Sequence, residues 1–280
     1  MFKSLKDIID LYDFFIIDVW GVLHNGEQAF ESSLKALAFL KENHKKVLLL
    51  SNAPRRIHLS RQRLESLGVR ESFYDDIYTS GEDTYQFLKT YSAATFFHLG
   101  PIRDEPLYEG LKTLTRTSDQ SKADLLVLTG TLTWSCKLKD YEPYLKKALE
   151  KNCPLLCVNP DKFVPHGTEI SLCGGSIAEE YEKRGGNVFW HGKPYPDFYK
   201  RALKPYELDL TKVLAIGDSL ATDISGGVQA GIDTMLVLSG LYAPQTASIL
   251  NEPNTLSKTL EELYKIYGVK PKYVCEKLRV

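Results

Sequence analysis

Apolar positions along the chain fall into two alternating patterns. Short, almost wholly apolar runs occur at FFII (14–17), KVLLL (46–50), TFFHL (95–99), DLLVL (124–128), LLCVN (155–159), NVFW (187–190), VLAI (213–216) and TMLVL (234–238). Runs of that length with no polar face predict strands buried on both sides of a parallel sheet. Between them lie segments such as ESSLKALAFLKENH (31–44) and RRIHLSRQRLESLG (55–68), where apolar residues recur at three- and four-residue spacing and Gly68 supplies a stop. That spacing predicts helices. Strand and helix alternating in this way predict an α/β fold with a Rossmann-like parallel sheet covered by helices on both faces.

Such sheets bind ligands beyond the carboxyl ends of their strands, so the polar residues found there carry the functional information. Asp18 closes the first run, Ser51 and Asn52 follow the second, Lys193 lies in HGKP after NVFW, and Asp218 and Asp223 lie in GDSLATD after VLAI. Carboxylates, a hydroxyl and an ammonium group suit a phosphate ester together with a divalent cation. A carboxylate can attack phosphorus and form an aspartyl-phosphate when cations neutralise the phosphoryl oxygens, which makes Asp18 the expected nucleophile. Mg²⁺ needs only one or two protein carboxylates besides a carbonyl and waters, and Asp18 and Asp218 would supply them. Ser51 would donate to a phosphate oxygen beside the N-terminus of a helix expected to start at APRR, with Pro54 in its first turn. Asn52 stands next to it in the expected phosphate-binding set. Lys193 is a point charge suited to holding the phosphoryl group.

Composition narrows the field without changing this picture. At 280 residues and 43% hydrophobic content the chain can bury one large core or two modest ones. Lysine plus arginine (35) nearly balance aspartate plus glutamate (36), and no long basic run occurs, so neither nucleic acid nor an anionic membrane is an expected partner. A small phosphorylated molecule is. The five cysteines are odd in number and form no paired C-x-x-C motif, so they are expected as reduced, packed thiols. The N-terminal stretch has acids throughout and no small-residue cleavage site, which makes a cytoplasmic location the expectation.

The four strand-end stretches DVWGVL, LLLSN, GKP and IGDSLATD, in this order, resemble the four motifs of the haloacid dehalogenase superfamily. The layout is similar to the superfamily's class IIA branch of phosphatases, and the resemblance spans nearly the whole chain. It implies Asp18 as nucleophile, Ser51 as phosphate-binding hydroxyl, Lys193 as stabilising cation and Asp218 as a magnesium ligand. The backbone carbonyl of Trp20 would be a further ligand, and Asp223 would belong to the acidic loop behind the metal. The stretch from Asp18 to Ser51 has room for one crossover helix, whereas that from Ser51 to Lys193 can hold a separate α/β unit. In the resembled branch a cap lies in that interval, so a discontinuous core over 1–80 and 178–280 with a cap over 81–177 is expected. Oligomeric state stays open, with a cap-to-cap homodimer among the arrangements of the resembled branch.

Phosphatases of this superfamily usually carry a second aspartate two residues after the nucleophile, which protonates the departing alcohol. Here that position is Trp20. Loss of this shuttle is expected to make the enzyme slow or specialised, since general acid–base assistance contributes roughly 10²- to 10⁴-fold. His24, Asp161 and His166 are candidates to replace it. A non-catalytic binder or sensor of phosphorylated ligands on the same fold is the alternative. In the cap, VNPDKFVPHG (158–167) is expected to be a loop, with Asn159 and Asp161 as candidate substrate contacts. GDSL at 217–220 also occurs in serine esterases, but every histidine here precedes Ser219, and the esterase order fails.

Overall fold

The computed structural model describes residues 2–166 and 169–280. The chain divides into two compact units, Met1–Ser51 with Arg61–Tyr78 and Tyr199–Val280, and Asn52–Ser60 with Thr79–Phe198. With strands numbered in chain order, the first unit is built on β1 (Phe14–Ile17), β2 (Lys46–Ser51), β3 (Asp76–Thr79), β11 (Val213–Gly217), β12 (Asp233–Val237) and β13 (Tyr273–Cys275). They form one sheet in the order β13-β12-β11-β1-β2-β3. All four residues of β1 are buried, as a central strand covered on both faces requires. Helix Glu31–Glu42 buries Ala36, Leu37 and Leu40 on one stripe, the periodicity visible in the sequence. Helix Ile57–Ser66 ends where Gly68, at φ 88°, lets the Val69 N–H turn back to Leu64 O at 3.0 Å.

The start of that helix differs from expectation. Pro54 lies outside it, and residues 52–56 form an irregular loop before the helix begins at Ile57. Tertiary contacts hold the loop out of helical geometry. Ala53 O accepts from the Gly81 N–H (3.1 Å), Ser80 Oγ also reaches Ala53 O (3.2 Å), and Thr79 Oγ1 donates to Arg55 O. Gly81 is needed there, because a Cβ would run into the Arg55 backbone.

The second unit is built on β4 (Thr95–Leu99), β5 (Thr115–Arg116), β6 (Leu125–Leu128), β7 (Leu155–Cys157) and β10 (Val188–Trp190) in the order β10-β7-β6-β4-β5, with every pairing parallel. Its core packs Leu126, Leu128, Leu155 and Tyr181, and the Tyr181 hydroxyl donates to Cys153 O at 2.6 Å. Strand β10 lies past the expected boundary at residue 177 and leads straight into Lys193. The expected loop at 158–167 is part strand, since β8 (Phe163–His166) pairs antiparallel with β9 (Glu169–Leu172). Pro165 is tolerated because a two-stranded ribbon consists only of edges. All five cysteines are free, four of them buried. Among the described residues no helix is long and apolar enough to cross a membrane.

Candidate functional site

Register assembles the first unit's polar strand ends. β1 lies between β11 and β2, with Ile17 opposite both Ile216 and Leu49, so all three strands run out at one level. Asp18 follows β1, and its N–H donates to Ile216 O at 2.9 Å; Asp218 follows β11; Ser51 is the last residue of β2. Asp18, Asp218 and Asp223 are all buried, and one carboxylate oxygen from each lies within 4.8 Å of the others. Asp223 arrives by a wide π-helical turn, Leu220–Ile224, where the Ile224 N–H reaches Ser219 O at 3.0 Å and Asp223 Oδ2 accepts from the Ser219 N–H at 3.2 Å. Asp218 Oδ2 accepts from the Leu241 N–H at 2.8 Å. Gly21, at φ 80°, and Gly240 both pass so close to Asp218 that a Cβ on either would overlap its carboxylate. Two loops therefore close on this acid only because they carry no side chain there.

Trp20 sits in the loop that leaves Asp18. Its indole meets His24 edge-on, with centroids 5.4 Å apart, and covers Gly26, yet remains 37% exposed. It is thus a packing residue of its own loop. His24 is buried and its Nδ1 accepts from the Gly26 N–H at 2.9 Å, which commits that nitrogen to shaping the turn. The side chain of His166 lies outside those described.

Within the second unit, Lys193 is almost fully buried and follows β10. Its backbone is gripped by Asn52. Oδ1 of Asn52 accepts from the Lys193 N–H (2.7 Å), while Nδ2 donates to Lys193 O (3.1 Å) and to Asp161 Oδ1 (2.8 Å). Asn159 is turned to local structure, accepting from the Asp161 N–H at 3.0 Å and donating to Cys173 Sγ at 3.2 Å. The nine expected site residues thus fall into an acid cluster with Ser51 beside it, the Trp20 loop, and a Lys193–Asn52–Asp161 group next to Asn159.

Comparison with known proteins decides the family. Models described as haloacid dehalogenase-like hydrolase match residues 15–112 and 101–231, and a further HAD-hydrolase-like model matches 190–279. The chain belongs to the haloacid dehalogenase superfamily. Within it the chain falls in the class IIA branch. It is 26% identical over 231 residues to the ribonucleotide monophosphatase NagD of Escherichia coli K12, covering 81% of this chain and 87% of that one. It is 26% identical to the sugar-phosphatase AraL of Bacillus subtilis, covering 90% and 92%. A haloacid dehalogenase-like hydrolase from Brucella suis superposes with a TM-score of 0.84 at 28% identity, over 99% of this chain and 100% of that one.

Several buried polar groups of this superfamily member were not singled out from sequence. Asp83 and His191 lie 2.6 Å apart with almost no exposure, and His191 immediately precedes the GKP motif, the one signal that could have found it. Arg56 pairs with Glu82 at 2.7 Å and stacks on Tyr85; burial pushes the Glu82 carboxyl up, and the hydrogen bonds from Arg56, Gln86 and the Ile57 N–H together with the Arg56 charge outweigh it and hold the carboxyl below its usual range. Burial raises Asp104 to about 6, partly offset by the Thr129 hydroxyl and Arg103. Burial also lowers His98 to about 4, while its Nε2 lies 2.9 Å from the same Thr129 hydroxyl. No motif marks these residues.

Proposed function

We propose that the protein hydrolyses phosphate monoesters of small metabolites, with Asp18 as nucleophile and Mg²⁺ as cofactor. The observation that carries this reading is the cluster of three carboxylates within 4.8 Å, at the ends of neighbouring parallel strands, in the superfamily's motif order. Three buried carboxylates so close are costly together without positive charge, and an all-oxygen donor set suits a hard divalent ion. Asp18, Asp218 and the Trp20 carbonyl would hold it, with Asp223 bracing the turn that carries Asp218. When bound, the ion supplies positive charge against the phosphoryl oxygens.

The chain's own groups do the rest. One oxygen of Asp18 forms a bond to phosphorus as the ester P–O bond breaks, and the alcohol leaves with the electron pair. Ser51 donates a hydrogen bond to a phosphoryl oxygen, and the Lys193 ammonium neutralises another. Water then adds to phosphorus, inorganic phosphate departs, the Asp18 carboxylate is restored, and the water's proton balances the one taken up by the alcohol. With an indole at position 20 the departing oxygen receives no proton from that position, so esters of acidic alcohols turn over fastest. The names of NagD and AraL support a nucleotide or sugar phosphate as the kind of substrate. We assign the cap to the second unit. Trp20 favours a second reading, a binder or sensor of phosphorylated ligands.

Steady release of phosphate from a metabolite panel separates the two. Hydrolysis is expected to require Mg²⁺ and to fall by about 10⁴-fold or more in Asp18→Asn. A panel on which the wild-type protein binds phosphate but releases none would leave the sensor.

A further inference from the structure

Asn52 follows a phosphate-binding serine in the chain and would be taken for a second phosphate donor. Its hydrogen bonds go elsewhere. Both amide protons are committed, one to Lys193 O and one to Asp161 Oδ1, and Oδ1 takes the Lys193 N–H. The amide therefore reads both backbone groups of a single residue, which fixes the rotation of that peptide segment as a single bond could not. Asn52 and Lys193 are both nearly inaccessible, so these backbone groups have no water to turn to if the amide is removed. The approach depends on Gly192, at φ 103°: a Cβ there would fall 2.6 Å from Asn52 Oδ1 and 2.9 Å from Pro160 Cδ.

We propose that Asn52 is a positioning residue for Lys193, acting on phosphate only through the backbone it clamps, with Asp161 as its anchor on the β7 end of the second sheet. The inference rests on the role given to Lys193 above. Residues 51 and 52 then serve the phosphate by two routes, Ser51 directly and Asn52 through the lysine. Asp161 becomes a brace for the lysine instead of a substrate contact or proton shuttle.

A double-mutant cycle tests this. Affinity for inorganic phosphate and kcat/KM are measured for Asn52→Ala, Lys193→Ala and the double variant. Asn52→Ala alone is expected to lose roughly a hundredfold in kcat/KM, as an ångström of misplacement does. On the Lys193→Ala background it is expected to change either quantity by less than about twofold. Losses that multiply would overturn the proposal, because Asn52 would then act independently of the lysine. Should Asn52→Ala fold poorly, Asn52→Asp keeps the volume and the acceptor while removing both donors, and enters the same cycle. Hydrogen exchange at the Lys193 amide provides a readout that needs no turnover: exchange is expected to accelerate in Asn52→Ala, which removes the acceptor of that N–H, and unchanged protection in that variant would refute the clamp. If the wild-type protein neither binds phosphate nor releases it, the functional reading fails while the exchange result still decides the clamp.

Discussion

At the carboxyl end of the first sheet, Asp18, Asp218 and Asp223 bring oxygens within 4.8 Å of one another. Among the described residues of the second unit each buried acid meets a neutral or basic partner: Asp83 faces His191, Glu82 pairs with Arg56, and Asp104 is pushed up to about 6 beside the Thr129 hydroxyl. Both units are built on parallel sheets, so the difference comes from what the strand-end loops carry. Bunched carboxylates in a low-dielectric site create a demand for a multivalent cation, whereas dispersed ones are settled one at a time by hydrogen bonds or by holding a proton. The first arrangement is suited to chemistry on a phosphoryl group. The second is suited to holding loops in place.

Four substitutions break or sharpen that contrast. In the acid cluster, Asp218→Asn is expected to raise the Mg²⁺ concentration needed for half-maximal phosphate release by about a hundredfold or more. Asp83→Asn should leave that requirement unchanged even if it slows turnover, so an equal shift in both would erase the distinction. Next in size, Trp20→Asp is expected to raise kcat on alkyl phosphates by on the order of tenfold to a hundredfold, and to help p-nitrophenyl phosphate much less. Equal gains on both esters would show that proton delivery does not limit the rate.

The smallest effect concerns stability in the second unit. Burial raises the Asp104 carboxyl above the ordinary carboxylate range, to about 6. The folded state therefore binds this proton more tightly, and the stability it contributes is full below about pH 4 and lost as pH rises through 6. Asp104→Asn, which mimics the protonated form, is expected to add about 2 kcal/mol to the unfolding free energy at pH 7.5 and almost nothing at pH 4. Denaturant melts at the two pH values measure this, and a pH-independent difference would count against it.

Much of the site was legible because its residues stand at the ends of recognisable apolar runs. FFII is the observed first strand residue for residue, and Asp18, Ser51 and Asp218 follow from the same pattern. The segments that escaped were those whose local signal is weak or overridden. Asp76–Thr79 alternates buried and half-buried positions over only four residues, and Phe163–His166 is interrupted by a proline. The helix expected at Pro54 starts three residues later because residues far along the chain, Thr79 to Gly81, capture the loop. Nothing near Asn52 in the sequence says that its amide meets Lys193, because that pairing is made 141 positions away.

Taken alone, the order of amino acids determined which stretches must be buried, where each buried run ends in a reactive group, and which superfamily's motifs those groups spell. Burial and period are local properties, and motif order is preserved along a chain. Only the tertiary structure decided that β1 lies between β11 and β2, which turns three separate acids into one cluster. It also decided that the amide of Asn52 is spent on a backbone and that Trp20 folds onto His24 and Gly26. These outcomes depend on which distant segments become neighbours, and that is set by the packing of the whole core, not by any window of sequence.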